Sequence, residues 1–180
     1  MFHPAPFLRL LAIALAILTA SPLEAALKII RQPYLQSGGA ERMTLKWRTD
    51  CPATSEVRFG KDPDDLDLKV KLLDLVEDHE IHLEGLVPDT RYYYKVKNVC
   101  PDGTGASGGG TSDHYFRTAP ATGVSKPTRI WVIGDSGTRS ERGSLDSRTV
   151  YEAFEAHTGD GKTDVWLMLG DNAYPDGTDE

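Results

Sequence analysis

Two short acidic motifs contain the residues whose types and spacing point most directly to chemistry. Gly134-Asp135-Ser136-Gly137 follows one apolar run, and Gly170-Asp171 follows a second. Two carboxylates brought side by side repel each other unless one is protonated or a cation lies between them. Hard cations prefer oxygen ligands, so we expect Asp135 and Asp171 to share a divalent or trivalent metal ion. A single Gly-Asp pair after a strand is common turn chemistry, and two such pairs are a stronger signal.

The elements around these motifs explain how the two carboxylates would meet. The apolar runs at 130–133 and 165–169 each predict a strand, and residues 145–157 between them follow a helical period. A strand, a helix and a second strand in this order predict a parallel pair with a right-handed crossover. Open α/β sheets bind their ligands at the carboxyl ends of such strands, which is where both aspartates lie.

These two strands need more cover than the sequence supplies. Their apolar runs do not alternate with polar residues, which predicts burial on both faces. A single helix covers one face of a two-stranded sheet and leaves the other face and both edges open. We therefore expect residues 129–180 to be the start of a longer α/β domain, the alternative being that another molecule completes the layer.

Residues 27–118 show a different pattern, in which apolar and polar residues alternate and predict an antiparallel β-sandwich. The alternating stretches are residues 43–48, 79–84 and 91–97. Leu86–Tyr92 has Leu, Pro, Thr and Tyr at every second position and resembles the tyrosine corner of fibronectin type III domains, with Tyr92 as the corner residue. An ordinary aromatic-rich strand is the alternative. Residues 119–128, with two prolines and a glycine, predict a linker.

The first 25 residues have the layout of a secretory signal peptide. Arg9 gives a positive start, residues 10–20 form an apolar core, and small residues follow. The core is shorter than the roughly 20 residues that cross a bilayer; a core helix and a retained membrane anchor are the alternatives. We expect residues 1–25 to be removed and the mature chain to be extracellular or periplasmic, without membrane association after cleavage.

The composition is that of a globular protein, and the charge argues against one class of partner. Hydrophobic residues make up 39% of the 180 residues and charged residues 26%. The formal net charge is −7. Because nucleic acid is bound by clustered Lys and Arg, this charge counts against nucleic acid as a partner.

Two cysteines and three histidines of the first unit could also do chemistry. Cys51 and Cys100 are expected in two loops that emerge at the same end of such a sandwich, so a disulfide is geometrically allowed and export permits it; two free thiols are the alternative. His79 and His82 are three residues apart on one strand and face opposite sides, which argues against a shared metal. We expect surface or packing roles for them and for His114.

The motifs as a set resemble a known family. Gly134–Gly137 and Gly170–Tyr174 are similar to the first two of five metal-binding blocks in calcineurin-like metallophosphoesterases, and the tyrosine three residues after the second aspartate narrows the resemblance to the purple acid phosphatases. The upstream unit is similar to the fibronectin-like N-terminal domain of plant-type and many microbial members. The segments that carry this likeness are Pro33–Leu35, Met43–Trp47, Leu86–Tyr92 and Tyr115–Ala119.

The resemblance implies roles for three residues. In that family the first aspartate ligates a ferric ion, the second bridges two metal ions and the tyrosine also ligates the ferric ion; these roles fall on Asp135, Asp171 and Tyr174. It implies a dinuclear centre of Fe plus Zn, Mn or a second Fe, and hydrolysis of phosphate monoesters. It also allows a homodimer of the full-length protein. Without the resemblance, Tyr174 is explained equally well as a packing or turn aromatic.

One departure from the family limits what this chain would do by itself. The family's other ligands, an Asn and three His in later blocks, are missing from the sequence, and His157 matches no block. We therefore expect the N-terminal portion of a secreted purple acid phosphatase, with little activity of its own. Its fold would be an all-β fibronectin type III-like sandwich followed by the first β-α-β unit of an α/β metallophosphoesterase domain. A non-enzymatic exported binding module and another dinuclear phosphoesterase are the alternatives.

Overall fold

The structure is a computed structural model that describes residues 26–137, 147–159 and 163–171. The elements in chain order are β1 (Ile29–Gln36), β2 (Arg42–Gly60), β3 (Leu68–Glu84), β4 (Arg91–Val99), β5 (Gly105–Gly109), β6 (Tyr115–Arg117), β7 (Ile130–Ile133), α1 (Ser147–Thr158) and β8 (Val165–Met168). The predicted signal peptide, residues 1–25, lies outside the described residues. Within the described ranges, no helix has the length and apolar character needed to span a membrane.

Strands β1–β6 form one hydrogen-bonded sheet that folds over on itself into two layers, which confirms the predicted all-β sandwich. The first half of β2 pairs with β1 and with the end of β3, whereas its second half pairs with β4 and with the start of β3. The register of β2 shifts between Arg48 and Ala53, where the strand passes from one layer to the other. The first layer is β1 with residues 42–48 and 78–84; the second is β4, β5 and β6 with residues 55–60 and 68–72.

The hydrophobic core lies between these layers, on the faces that the alternating patterns predict. Ile81 and Leu83 of β3 are buried, as are Tyr92, Tyr94 and Val96 of β4. The whole cluster comprises Met43, Leu45, Trp47, Val57, Phe59, Ile81, Leu83, Leu86, Tyr92, Tyr94, Val96 and Phe116. Complete burial of one large apolar side chain contributes about 1.5–3 kcal/mol, so this cluster supplies most of the drive for the sandwich to form.

The predicted tyrosine corner is present. The buried ring of Tyr92 packs on Phe116 with ring centroids 5.6 Å apart, and its hydroxyl accepts a hydrogen bond from the backbone N–H of Val87 at 3.0 Å. The intervening turn contains Pro88 and Asp89, the latter with a left-handed φ of 50°. The phenol therefore fills core volume while it pairs with a backbone donor of the turn.

Asp89 also holds the segment that leaves the sandwich. Its carboxylate accepts hydrogen bonds from Arg117 at 2.9 and 3.1 Å and from Lys126 Nζ at 2.5 Å. Its backbone N–H donates to the carbonyl of Ala119 at 3.0 Å. Hydrogen bonds from Arg117 and Lys126 hold the pKa of the Asp89 carboxyl below its ordinary value. Residues 119–128 contain no helix or strand, and this cluster ties them to the sandwich.

A buried polar network joins the two layers where β2 crosses between them. The His79 ring stacks on the Trp47 indole, with centroids 4.9 Å apart, and makes hydrogen bonds with the hydroxyls of Thr49 at 2.8 Å and Ser55 at 2.7 Å. Asn98 accepts a hydrogen bond from Trp47 Nε1 at 3.0 Å. Desolvation on burial lowers the pKa of His79 to about 4, so its ring is neutral at physiological pH. The expected packing role of His79 is confirmed.

The structure joins Cys51 to Cys100 in a disulfide. The prediction that Cys51 lies in a loop was wrong, because β2 runs from the first layer to the second without a loop and Cys51 is in the strand at the register shift. Cys100 directly follows β4, as expected. The bridge packs with Leu27 and Ala53 in a small apolar cluster of its own.

The second part of the described chain is the predicted strand–helix–strand unit. β7 and β8 are parallel, with Ile130 opposite Val165 and Ile133 opposite Met168. Phe154 of α1 stacks on Trp131 with ring centroids 3.9 Å apart, which covers one face of the pair. Every residue of β8 is exposed, because α1 is the one described element that packs on this pair. The described residues therefore leave these apolar strands without the second layer of cover that the sequence predicts they need.

We expect the free energy of unfolding to decrease as the pH falls from about 6.5 to about 4, because folding requires a neutral His79. The folded pKa of about 4 lies below the ordinary value of 6.5, so the unfolded chain binds the extra proton in this window. The contribution is complete above pH 6.5, and about 3 kcal/mol is lost by pH 4.

Urea unfolding at a series of pH values measures this effect as the difference between wild type and His79→Gln. The exposed histidine of the same strand provides the control, and His82→Gln should keep the wild-type slope. Identical slopes for wild type and His79→Gln would show that the buried imidazole does not control the pH dependence.

Tyr92→Phe should lower the free energy of unfolding by about 1–2 kcal/mol, because it removes the acceptor of the Val87 N–H and keeps the ring. Denaturant unfolding provides the measurement. Tyr93→Phe, at the half-buried neighbouring position, is the matched control and should change stability by less than about 0.5 kcal/mol. Equal effects of the two changes would argue against the corner hydrogen bond.

Candidate metal centre

The two predicted metal-binding aspartates follow the ends of the parallel strands. Asp135 comes after β7 and Asp171 after β8, and backbone pairing continues past both strands. The N–H of Leu169 donates to the carbonyl of Ile133 at 2.8 Å, and the N–H of Asp135 donates to the carbonyl of Gly170 at 3.3 Å. One aspartate is thus hydrogen-bonded to the residue directly before the other, so the loops that carry them are immediate neighbours.

The glycine in front of each aspartate has a physical reason. A Cβ added at Gly134 would lie 3.2 Å from the Cβ of Leu169 and 3.6 Å from the Gly170 carbonyl oxygen. A larger residue at position 134 would therefore push the two loops apart. Gly170 has a φ of 121°, which L residues rarely adopt. Both glycines are thus required by the close approach and sharp turning of the backbone.

The aspartates themselves share an uncommon backbone conformation. The φ angles of Asp135 and Asp171 are 48° and 51°, in the left-handed region that few residues other than glycine occupy and that Asp and Asn tolerate best. Residues held in this region cost of order 1–3 kcal/mol, and they cluster at functional sites. The same conformation occurs at equivalent positions of both motifs.

The donor set of these loops suits part of a metal site. Both aspartates are exposed at the edge of the strand pair, and carboxylate oxygens are ligands that hard cations prefer. Within the described residues, no group of three or more His, Cys, Asp or Glu side chains is placed to hold a metal ion. Tyr174, the third predicted ligand, lies outside the described residues. His157 is exposed in the last turn of α1.

The Asp89 cluster, which brings Arg117 and Lys126 to one carboxylate, was not predicted from the sequence. The available signal was weak: a Pro-Asp turn predicts a change of direction but does not identify partners 28 and 37 residues away. The cluster lies at the corner of the sandwich beside β6 and does not contribute to the candidate metal centre.

Comparison with known proteins gives a family match over the first unit. Residues 30–118 match the family model described as the N-terminal domain of purple acid phosphatase. No curated protein matches the chain.

Solved structures with the same fold extend over both units. The purple acid phosphatase PPD1 from yellow lupin (Lupinus luteus) seeds matches with a TM-score of 0.53 at 15% identity, over 80% of this chain and 36% of that chain. The structure of PhoD matches with a TM-score of 0.52 at 16% identity, over 78% of this chain and 27% of that chain. At these identities the likeness shows the fold. By the coverages given, the chain spans about a quarter to a third of the length of these solved structures.

The left-handed backbone at Asp135 predicts that Asp135→Gly is more stable than Asp135→Ala by about 1 kcal/mol, because alanine is strained at this φ and glycine is not. Denaturant unfolding of the two variants measures the difference, and both lose the same carboxylate. Asp164, outside the left-handed region, is the control; there alanine should be at least as stable as glycine. The same order at both positions would argue against strain at Asp135.

Proposed function

Because residues 30–118 match the family model of the purple acid phosphatase N-terminal domain, we propose that the chain is the amino-terminal part of a metal-dependent acid phosphatase that hydrolyses phosphate monoesters. The sandwich is the non-catalytic domain at 27–118, residues 119–128 are the linker, and residues 129–180 begin the catalytic domain. The observation that carries the proposal is the hydrogen bond from the Asp135 N–H to Gly170, which places the loops of Asp135 and Asp171 side by side.

In this proposal Asp135, Asp171 and Tyr174 are the first ligands of a dinuclear centre of iron with zinc, manganese or a second iron, and the remaining ligands of that centre are missing from this sequence. When bound, such a pair of metal ions supplies a hydroxide at neutral or acidic pH and polarises the phosphoryl oxygens. The chain's own contribution is positional. Gly134 allows the two loops to approach each other. The left-handed turns at the strand ends determine the direction in which the side chains of Asp135 and Asp171 leave the backbone. The family's nitrogen ligands are missing from this sequence, so we expect no turnover by this chain alone.

We further propose that the protein is exported after removal of residues 1–25. The disulfide between Cys51 and Cys100 supports this, since such bonds persist in oxidising compartments. The expected partner is a phosphate monoester, and a homodimer of the full-length protein is part of the same proposal.

Metal binding tests the role of the aspartates. We expect the chain to bind zinc or manganese, and Asp135→Asn/Asp171→Asn to weaken the affinity at least tenfold, because the change removes both anionic ligands. Equilibrium dialysis gives the dissociation constants. Asp74→Asn/Asp113→Asn removes the same charge from exposed positions of the sandwich and should leave the affinity within twofold. Equal affinities for the wild type and the first double variant would refute the site.

The visible spectrum of the ferric complex of the completed, full-length protein tests Tyr174 and separates this family from other dinuclear phosphoesterases. We expect an absorption band from phenolate-to-iron charge transfer, which Tyr174→Phe abolishes while binding that depends on Asp135 and Asp171 remains. Tyr151→Phe, on α1, should keep the band. A colourless wild-type ferric complex would instead assign the motifs to another dinuclear phosphoesterase.

A further inference from the structure

The outer face of the second layer concentrates positive charge, although the net charge of the chain is −7. We call this surface the basic face and define it by the outward-pointing cations of β2, β3, β4 and β6. They are Arg58, Lys69, Lys71, Arg91, Lys95, Lys97 and Arg117, all of them exposed. Among the outward positions of the described second-layer stretches, which are residues 55–60, 68–72, 91–99 and 115–117, Glu56 is the one acid.

The register of the sheet arranges these cations in rows. Arg58 lies opposite Lys69 on one side and Lys95 on the other, so three positive residues are consecutive across three strands. Neighbouring strands lie about 4.8 Å apart, and alternate residues of one strand lie about 6.7 Å apart. The pairs Lys69/Lys71 and Lys95/Lys97 therefore form two tracks about 10 Å apart, with Arg58 between Lys69 and Lys95 and Glu56 between Lys71 and Lys97.

Like charges that face each other across strands destabilise a sheet. None of the four lysines on these tracks forms an ion pair with a described residue, and Arg58 is held by Glu56 at 3.1 Å. The outer face of the first layer differs, since Lys46 pairs with Glu80 at 2.9 Å and Arg48 lies 3.6 Å from Glu77. One fold thus has a charge-balanced face and a second face on which Arg58 and Arg117 are paired with carboxylates but the four lysines have no ion-pair partner among the described residues.

We propose that the basic face binds a linear polyanion made of phosphate groups, of the kind represented by inorganic polyphosphate. Lysine ammonium groups are flexible point charges that suit closely spaced phosphate oxygens without requiring one fixed geometry. Beyond Lys95 the next strand presents Gly109, which has no side chain to block an elongated ligand. The charge complementarity needs no metal and no turnover, so this proposal goes beyond the phosphatase assignment.

The aromatic residues beside the tracks favour a phosphate chain over a nucleic acid. Single-stranded nucleic acids gain affinity when bases stack on open aromatic rings. Here the guanidinium of Arg91 lies over the ring of Tyr115, 4.4 Å from its centroid, and Tyr93 packs against the same ring at 6.0 Å. These rings are already engaged with each other and with an arginine, so electrostatic attraction is the main source of affinity on this surface.

Binding of fluorescently labelled long-chain polyphosphate to the full chain tests the proposal, with EDTA present to exclude a contribution from metal. We expect binding at low ionic strength that weakens at least tenfold at physiological salt, because exposed charges are screened. Lys69→Gln/Lys95→Gln should weaken binding at least tenfold. The melting temperature of this variant should not fall, since the change relieves repulsion across Arg58.

The matched control is Lys28→Gln/Lys46→Gln, which removes the same charge from the first-layer side of the molecule and should change affinity less than twofold. Equal losses in the two variants would show that net charge rather than the basic face determines binding and would overturn the proposal. Absence of binding at low salt, or tighter binding of an oligothymidylate of equal charge, would overturn it as well. Unchanged metal affinity in Asp135→Asn/Asp171→Asn would refute the proposed metal centre and has no bearing on polyphosphate binding.

Discussion

The sandwich depends on a network of hydrogen bonds among polar side chains that are buried where β2 crosses between the layers. A strand that changes layers carries its side chains through the core, and Thr49 and Ser55 are buried there together with Asn98. Their hydrogen-bonding groups converge on the neutral ring of His79 and on the indole of Trp47. A buried polar network of this kind stabilises only when it is complete, and it then fixes one arrangement of the layers. The hydrophobic cluster provides the driving force, and the network determines how the two layers are aligned.

The candidate metal centre is organised by the backbone instead. Parallel pairing of β7 with β8 continues into the loops and brings Asp135 next to Gly170. The identity of the neighbouring residues follows from this geometry: Gly134 is needed because Leu169 is close, and aspartate is among the few residues that tolerate the left-handed conformation. The Gly-Asp motifs therefore combine a folding requirement with a supply of oxygen ligands. This explains how so short a motif can be informative about function when it occurs twice in one strand–helix–strand unit.

Alternation of side chains was enough to predict the inward faces of β2, β3 and β4, and the resemblance of Leu86–Tyr92 to a tyrosine corner located the corner at Tyr92. Other features of the fold leave no recognisable pattern in the sequence. The register shift that places Cys51 inside a strand is a property of pairing, and β5 consists of small residues that give no pattern. The apolar runs of β7 and β8 predicted burial because hydrophobicity reports what a strand requires, whereas the described residues cover a single face. The net charge likewise gave no indication of the basic face, because it is a sum that contains no information about where the charges lie. The strand register was needed to show that Arg58 lies between two lysines.

The Asp89 cluster shortens the free part of the connection between the two units. By residue count, 119–128 would be a loose tether, but Lys126 is attached to the corner of the sandwich. Only four steps of the chain then separate the attachment point from Ile130, a reach of about 14 Å when fully extended. Hydrogen bonds from Arg117 and Lys126 hold the pKa of the Asp89 carboxyl below its ordinary value, so the carboxylate stays anionic and keeps both partners in mildly acidic surroundings. High ionic strength, rather than acidity, would weaken the contact between Lys126 and Asp89 and so release the linker from the sandwich.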